Sequence, residues 1–418
     1  MPNRGALFTF LHRIRWFNLA VLTITPAIGL HGLRSTPLRS YTLAWAAMYY
    51  VISMLGITAG YHRLWSHRSY NASRPLQYLL VLMGASAVQG SVYWWARGHR
   101  SHHRYTDTPL DPYNAKRGLL YSHIGWMLIK PSVKPGTADI SDLKKNEVVQ
   151  WQHRWYFVII IVVGYALPAI VAGIIWGDWW GGFYYAGMWR ITFVHHSVFS
   201  INSLAHYLGE TPFDDKKSAR DHFVSALLTM GEGYHNFHHQ FPMDYRNAVK
   251  WYQFDPTKWF IAGCAALRIA SHLRVFPQNE VNKAELAMKL KKLRVVQDNI
   301  QWPAQAEDLP VVSWESFRKE AQERPLLVVS GFIHDVGDFL DQHPGGRSLI
   351  RSHTSKDATA AFCGGVYEHS NAAHNLLSMM RVGVLHGGVE HVDGIAPGER
   401  LKIVDKNRSR RRQQAGTY

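Results

Sequence analysis

The sequence predicts an all-α membrane protein with four transmembrane helices and a cytosolic helical cap that carries a histidine-rich metal site, followed by a small soluble module. Three observations lead there. Long apolar runs are confined to the N-terminal part of the chain, and the remainder reads as ordinary globular sequence. Histidine is the compositional anomaly, at 24 of 418 residues. Its tight clusters fall just outside the apolar runs, where a chain leaves the bilayer.

Crossing a bilayer takes about 20 consecutive apolar residues. Four stretches qualify: "WFNLAVLTITPAIGLHGL" (16–33), "YTLAWAAMYYVISMLGITAG" (41–60), "WYFVIIIVVGYALPAIVAGIIW" (155–176) and "GGFYYAGMWRITFVHHSVFSINSLA" (181–205). Short loops join the first two and the last two, so they read as two helical hairpins. The fourth carries Arg190, His195, His196 and Asn202. Ionisable groups at that depth are costly and face a protein interior or polar cavity. The stretch "LQYLLVLMGASAVQG" (76–90) is short and rich in small residues, and is expected to lie in the interface without spanning.

The connection 61–154 is basic, with Arg63, Arg97, Arg100, Lys116 and Lys130 among its cations. The positive-inside rule places it in the cytoplasm, and four spans then leave both termini cytosolic. Arg34 and Arg39 in the loop 33–40 weaken that asymmetry slightly. The membrane domain is assigned to 1–276. A charged linker helix is expected within 277–308, where "NEVNKAELAMKLKKLRVVQDN" lies. The soluble module is assigned to 309–390 and a disordered basic tail to 391–418.

The formal charge of +16 suits a polyanionic partner: nucleic acid, an anionic membrane surface or a phosphate-rich substrate. Cys264 and Cys363 are the two cysteines, which excludes a disulfide framework and favours a reducing compartment. The start "MPNRGALFTFLHRIRW" lacks an apolar core and a cleavage site, so no secretory leader is expected.

The histidine clusters carry the chemistry. "HRLWSH" gives His62 and His67, "HRSHH" gives His99, His102 and His103, and "HNFHH" gives His235, His238 and His239. In the last two the spacing i, i+3, i+4 puts three imidazoles on one helical face. "NSLAH" adds Asn202 and His206 where the fourth span ends. One ion takes three to six ligands, so nine histidines imply two ions. Zinc suits the ligand type alone; the rest of the chain favours iron. The isolated His12, His31, His123, His153, His195, His196, His222 and His272 read as ordinary core or surface residues. Asp107, Asp111, Asp221 and Glu232 read either as partners that orient a ligating ring or as solvated charges and helix caps.

Near the C-terminus, "LLVVSGFIHDVGDFLDQHPGG" and "GGVYEHSNAAH" resemble cytochrome b5. That resemblance implies a small α+β fold and a haem b held by two axial imidazoles, His343 and His369, with His374 as the alternative second ligand. Bis-histidine ligation leaves no open iron position, so such a module carries single electrons.

The membrane part resembles the acyl-CoA Δ9 (stearoyl-CoA) desaturases. "GITAGYHRLWSHRSY", "HRSHHRYTDTPLDPYNAKRGLLYSHIGWML" and "GEGYHNFHHQFPMDY" carry the likeness, and the fused C-terminal module points to the fungal branch. The resemblance implies an endoplasmic-reticulum enzyme that uses O2 and long-chain C16/C18 acyl-CoA. It also implies two non-haem irons on His62, His67, His99, His102, His103, His206, His235, His238 and His239, with Asn202 acting through water. NADH-cytochrome b5 reductase is the expected electron donor, membrane lipid the surroundings, and nucleic acid is not expected. Trp95 and Gln89 match family positions at the bend of the acyl chain. The third bend position, a threonine in the family, is Val198 here, so a hydrogen bond to Gln89 is lost. Arg97, and less directly Lys130, are candidates for the coenzyme A phosphates. Tyr50, Met54, Thr58 and His62 recur every fourth residue and share one helical stripe. Met54 or Tyr50 is therefore the expected floor of the acyl channel. Two competing readings are a membrane diiron hydroxylase acting on lipid and, outside enzymes, a b-type electron carrier.

Overall fold

The computed structural model describes residues 8, 11–364, 368–387 and 398. The basic tail expected at 391–418 lies outside the described residues, save Gly398. The chain forms two compact units, Met1–Lys289 and Leu290–Tyr418.

The first unit is helical. Three helices are long and apolar enough to cross a membrane: Trp16–Ser35, Ser40–Ser66 and Glu147–Trp176. The fourth expected span forms continuous helix over 179–202, but its polar side chains keep it out of that set. Arg190 in its middle is buried, and no carboxylate among the described residues meets it. Its guanidinium donates to the carbonyls of Ala186, Ser86 and Gly164 and to the Ser53 hydroxyl, at 2.7–2.9 Å. A cation deep among helices is thus satisfied by oxygens from several elements, as expected from the cost of leaving it bare.

The second long helix changes pitch. Ser40–Leu55 is α-helical, and Gly56–Ser66 is π-helical. An α-helix turns about 100° per residue, which would leave positions five apart about 140° apart. The π-helix instead bonds i to i+5, and His67 N–H donates to the His62 carbonyl at 3.0 Å. Residues spaced as in "HRLWSH" therefore share a face. The expected α-helical stripe consequently ends near Gly56. Arg74–Ala85 packs against this segment, so closely that a Cβ on Gly56 would meet Gly84 N at 2.1 Å. At about 18 Å long it is too short to span.

The charged helix runs Gln278–Asp298. Its Val281 packs with Phe237 and Phe241 behind the short helix His235–Gln240.

The second unit holds a four-stranded sheet in the order Val311–Val312, Arg381–Leu385, Phe332–Asp335, Leu326–Val329. The first pair is parallel and the others antiparallel. Period-2 alternation divides the core. Leu326 and Val328 join Phe317 and Ile333 on one face, and Leu327 and Val329 join Val336 and Leu340 on the other.

Candidate metal centre and substrate cavity

Four elements bring the nine histidines together: the π-helix Gly56–Ser66, the helix Val92–Tyr105, the turn Leu204–Tyr207 and the helix His235–Gln240. They form two groups. His62, His67, His99, His103 and His238 offer nitrogens within 4.8 Å of one another, and so do His102, His206, His235 and His239. The sequence motifs do not map one to one onto these groups. In "HRSHH" the i, i+4 pair His99 and His103 joins the five-membered group, and His102 crosses to the other. In "HNFHH" the pair His235 and His239 joins the four-membered group, and His238 crosses.

The geometry fits metal ions. Nε2 atoms face Nε2 atoms at 3.0 Å for His62–His238, 2.9 Å for His67–His99 and 3.0 Å for His103–His238. In the second group the separations are 3.2 Å for His102–His239, 3.1 Å for His206–His235 and 3.0 Å for His235–His239. With metal–nitrogen bonds of about 2.1 Å, adjacent ligands lie about 3.0 Å apart in an octahedron and about 3.4 Å apart in a tetrahedron. Five nitrogens converge in the first group, one more than a tetrahedral zinc site takes. Burial holds His99, His103, His235, His238 and His239 well below the usual imidazole range. These rings are neutral at neutral pH and offer lone pairs, which only a cation between them can satisfy together.

On His99, His102 and His206 the other ring nitrogen is anchored. Asp111 Oδ1 lies 2.9 Å from His102 Nδ1, and Glu232 Oε2 lies 2.8 Å from His62 Nδ1, the latter off the hydrogen-bond line. Asp107 acts at one remove: it accepts from Ser218, whose hydroxyl meets His206 Nδ1 at 2.7 Å. Asp221 is no ring partner. Its carboxylate accepts the backbone N–H of Asn236 and Phe237 at the start of the ligand helix. Two further anchors had no sequence signal. Tyr113 reaches His99 Nδ1 at 3.1 Å. Arg63, wholly buried beside His62, ties Glu232 to Asp255, each at 2.9 Å. Its position inside "HRLWSH" was visible; its partners were not.

A cavity of 530 Å³ opens beside the five-membered group. His62, His99, Gln89, Trp95, Val198 and Asn202 line it. Arg97 lines it too, joined by Arg15 and Lys134. Lys130 does not; its ammonium donates to the His12 carbonyl at 3.2 Å. On the second long helix the cavity touches Ile57 and Thr58. Met54, one turn deeper, is fully buried in the core, and the Tyr50 hydroxyl donates to the Leu228 carbonyl.

In the second unit, His343 Nδ1 meets the Gly346 carbonyl at 3.3 Å and His369 Nδ1 meets the Phe362 carbonyl at 2.9 Å. A proton fixed on Nδ1 places the lone pair on Nε2, the nitrogen that would ligate. "HPGG" earns its glycines: a Cβ on Gly345 would lie 2.8 Å from the His343 ring, and Gly346 sits at φ +91°. His374 only abuts Phe362, its ring 4.8 Å away.

Comparison with known proteins agrees with this architecture. Residues 40–271 match the fatty acid desaturase family, and residues 313–386 match the cytochrome b5-like heme/steroid binding domain. A probable acyl-CoA desaturase of Schizosaccharomyces pombe is 48% identical over 378 residues, covering 90% of this chain and 78% of the relative. Acyl-CoA desaturase 1 of Saccharomyces cerevisiae is 44% identical over 376 residues, covering 89% and 74%. Human stearoyl-CoA desaturase is 37% identical over 283 residues, covering 66% and 77%.

Proposed function

The chain belongs to the fatty acid desaturase family, and on that basis we propose that it is an O2-dependent acyl-CoA Δ9-desaturase that introduces a cis double bond into C16/C18 acyl-CoA with electrons from its own b5 module. The observation that carries the reading is the pairing of two imidazole groups with a mostly apolar cavity that His62 and His99 border. Two non-haem irons, held by His62, His67, His99, His103 and His238 and by His102, His206, His235 and His239, with Asn202 through water, would supply the oxidant that an unactivated methylene requires.

The protein's own groups do the rest. Arg97, Arg15 and Lys134 face the mouth, where the coenzyme A phosphates need cations. Trp95 and Gln89 flank the chain near the metal groups, and the apolar wall excludes water. Asp111 holds a proton on the outward nitrogen of His102, so the inward one stays unprotonated, and the Glu232 carboxylate lies 2.8 Å from the outward nitrogen of His62. Reducing O2 to two waters takes four electrons, of which the acyl chain provides two. The other two arrive singly, which gives the haem module its role. His343 and His369 would hold a haem b that carries one electron at a time, and the anchored Nδ1 of His369 favours it over His374.

We further propose an endoplasmic-reticulum location with four spans, both termini cytosolic, and NADH-cytochrome b5 reductase as the donor. Boundaries at 1–276, 277–308, 309–390 and 391–418 remain the proposed division. The fatty-acid profile of a desaturase-deficient host expressing the chain tests the function. Δ9 alkenes without hydroxyl are expected; a hydroxylated acyl product would replace this reading with the hydroxylase.

A further inference from the structure

The turn between the short helix Arg74–Ala85 and the helix Val92–Tyr105 carries a backbone anomaly. Val88 has φ +55°, a conformation that a β-branched side chain pays for in steric strain. Such outliers persist only where the surroundings over-determine them, and they cluster at functional sites. Here the surroundings are specific. Arg190 donates to the Ser86 carbonyl at 2.7 Å, and the Tyr156 hydroxyl accepts from Gly90 N–H at 2.7 Å. Between them, His195 Nε2 lies 2.9 Å from the Ala87 carbonyl and 3.2 Å from that of Val88. His195 is buried, and among the described residues its Nε2 meets the carbonyls of this turn. Gln89 is the residue that the strained turn presents to the cavity. Its own side-chain bond is a weak one, Nε2 to the Val194 carbonyl at 3.3 Å. Val198, which faces the same cavity, offers no hydroxyl.

We propose that His195 is a positioning residue for the acyl bend: it clamps the backbone on the near side of Gln89 and so does by main-chain hydrogen bonds what a side-chain hydroxyl at position 198 would do directly. The proposal rests on the desaturase reading. The bond between a buried imidazole N–H and a carbonyl is strong in apolar surroundings. Removing it frees a turn held against its own strain, and Gln89 moves with it. Because the reacting carbon pair is selected by where the chain bends, a looser Gln89 spreads the reaction over neighbouring carbons.

The test is the positional-isomer distribution of monounsaturated products, measured with non-haem iron per chain and the haem spectrum. Wild-type protein yielding no alkene would overturn the desaturase reading itself, and is told apart by that control. His195→Leu is expected to keep its iron and haem, to lose roughly tenfold in turnover, and to give a mixture of bond positions where the wild type gives one. His195→Gln, which retains an N–H donor, and the double variant His195→Leu/Val198→Thr, which restores a hydroxyl beside Gln89, should both return to the single isomer. A single unchanged isomer from an iron-replete His195→Leu enzyme would overturn the proposal, as would failure of both rescues. If His195→Leu does not accumulate, His195→Ser decides: its short side chain cannot reach the Ala87 and Val88 carbonyls, so it should broaden the isomer distribution, and an unchanged one overturns the proposal.

Discussion

Asp111→Asn removes one negative charge and almost no volume, and the structure sets the size of its effect. The Asp111 side chain is buried, and its Oδ1 takes the His102 Nδ1 proton at 2.9 Å and the Tyr113 N–H at 3.2 Å, while Oδ2 takes the Asp107 N–H at 3.1 Å. An amide can accept on one oxygen only. If it keeps the His102 bond, its NH2 is driven against the Asp107 N–H; if it flips, His102 loses its acceptor and the tautomer that points a lone pair inward. Loss of a ring-orienting carboxylate costs about 10–100-fold in metal affinity. Because Asp111 is buried, the upper end applies, about 2.8 kcal/mol at 1.4 kcal/mol per tenfold. The four-membered group has fewer ligands to spread that loss than the five-membered one. Purified protein dialysed against graded chelator and assayed for non-haem iron should therefore show the first iron leaving at about 100-fold lower chelator than in the wild type. The haem spectrum should not move. Asp139→Asn, on an exposed side chain, serves as the control. An unchanged chelator midpoint in Asp111→Asn would refute the argument that Asp111 sets the His102 ring.

His238→Ala should abolish desaturation with the haem spectrum intact, since His238 is the crossing member of its motif; near-normal activity would sink the two-ion assignment. His369→Ala should lose the haem and most activity while non-haem iron stays, and separately supplied cytochrome b5 should restore turnover. Haem loss in His374→Ala but not in His369→Ala would reverse the ligand choice. Met54→Ala should shift product toward longer acyl chains without moving the double bond, because Met54 lies one turn below the cavity wall at Thr58; an unchanged C16/C18 ratio in a folded enzyme counts against that role.

The histidines were legible because a ligand set has to recur at helical spacing, and "HRSHH" and "HNFHH" do so without competing explanations. Their division was not. Which of His99, His102 and His103 turns to which group depends on how two helices cross, and spacing within one helix says nothing about that. Asp111 and Glu232 were read as either ring partners or solvated charges, and only burial beside His102 and His62 decides between these. Asp221 fell on the other side, as a cap of backbone N–H groups. Ser218 and Tyr113 were invisible, since a hydroxyl carries no sequence mark of its partner. Arg190 was flagged by its depth, but its acceptors are carbonyls, which every residue has and no motif announces.

The π-helical segment Gly56–Ser66 also bears on how this chain tolerates changes in length. Below Gly56, a residue added to or removed from the helix merely shifts how much of it sits in lipid. Within the segment, pitch is the difference between His62 and His67 facing the same way and facing apart. A return to α-helical pitch with the five-residue spacing kept would turn the two rings about 140° apart and dismantle the five-membered group without touching any histidine, whereas deleting one residue between them gives the i, i+4 spacing that an α-helix already places on one face. Length and pitch are therefore coupled here: a chain of this kind with four residues between the two histidines needs the π-helical turn, and one with three should run as plain α-helix at this point.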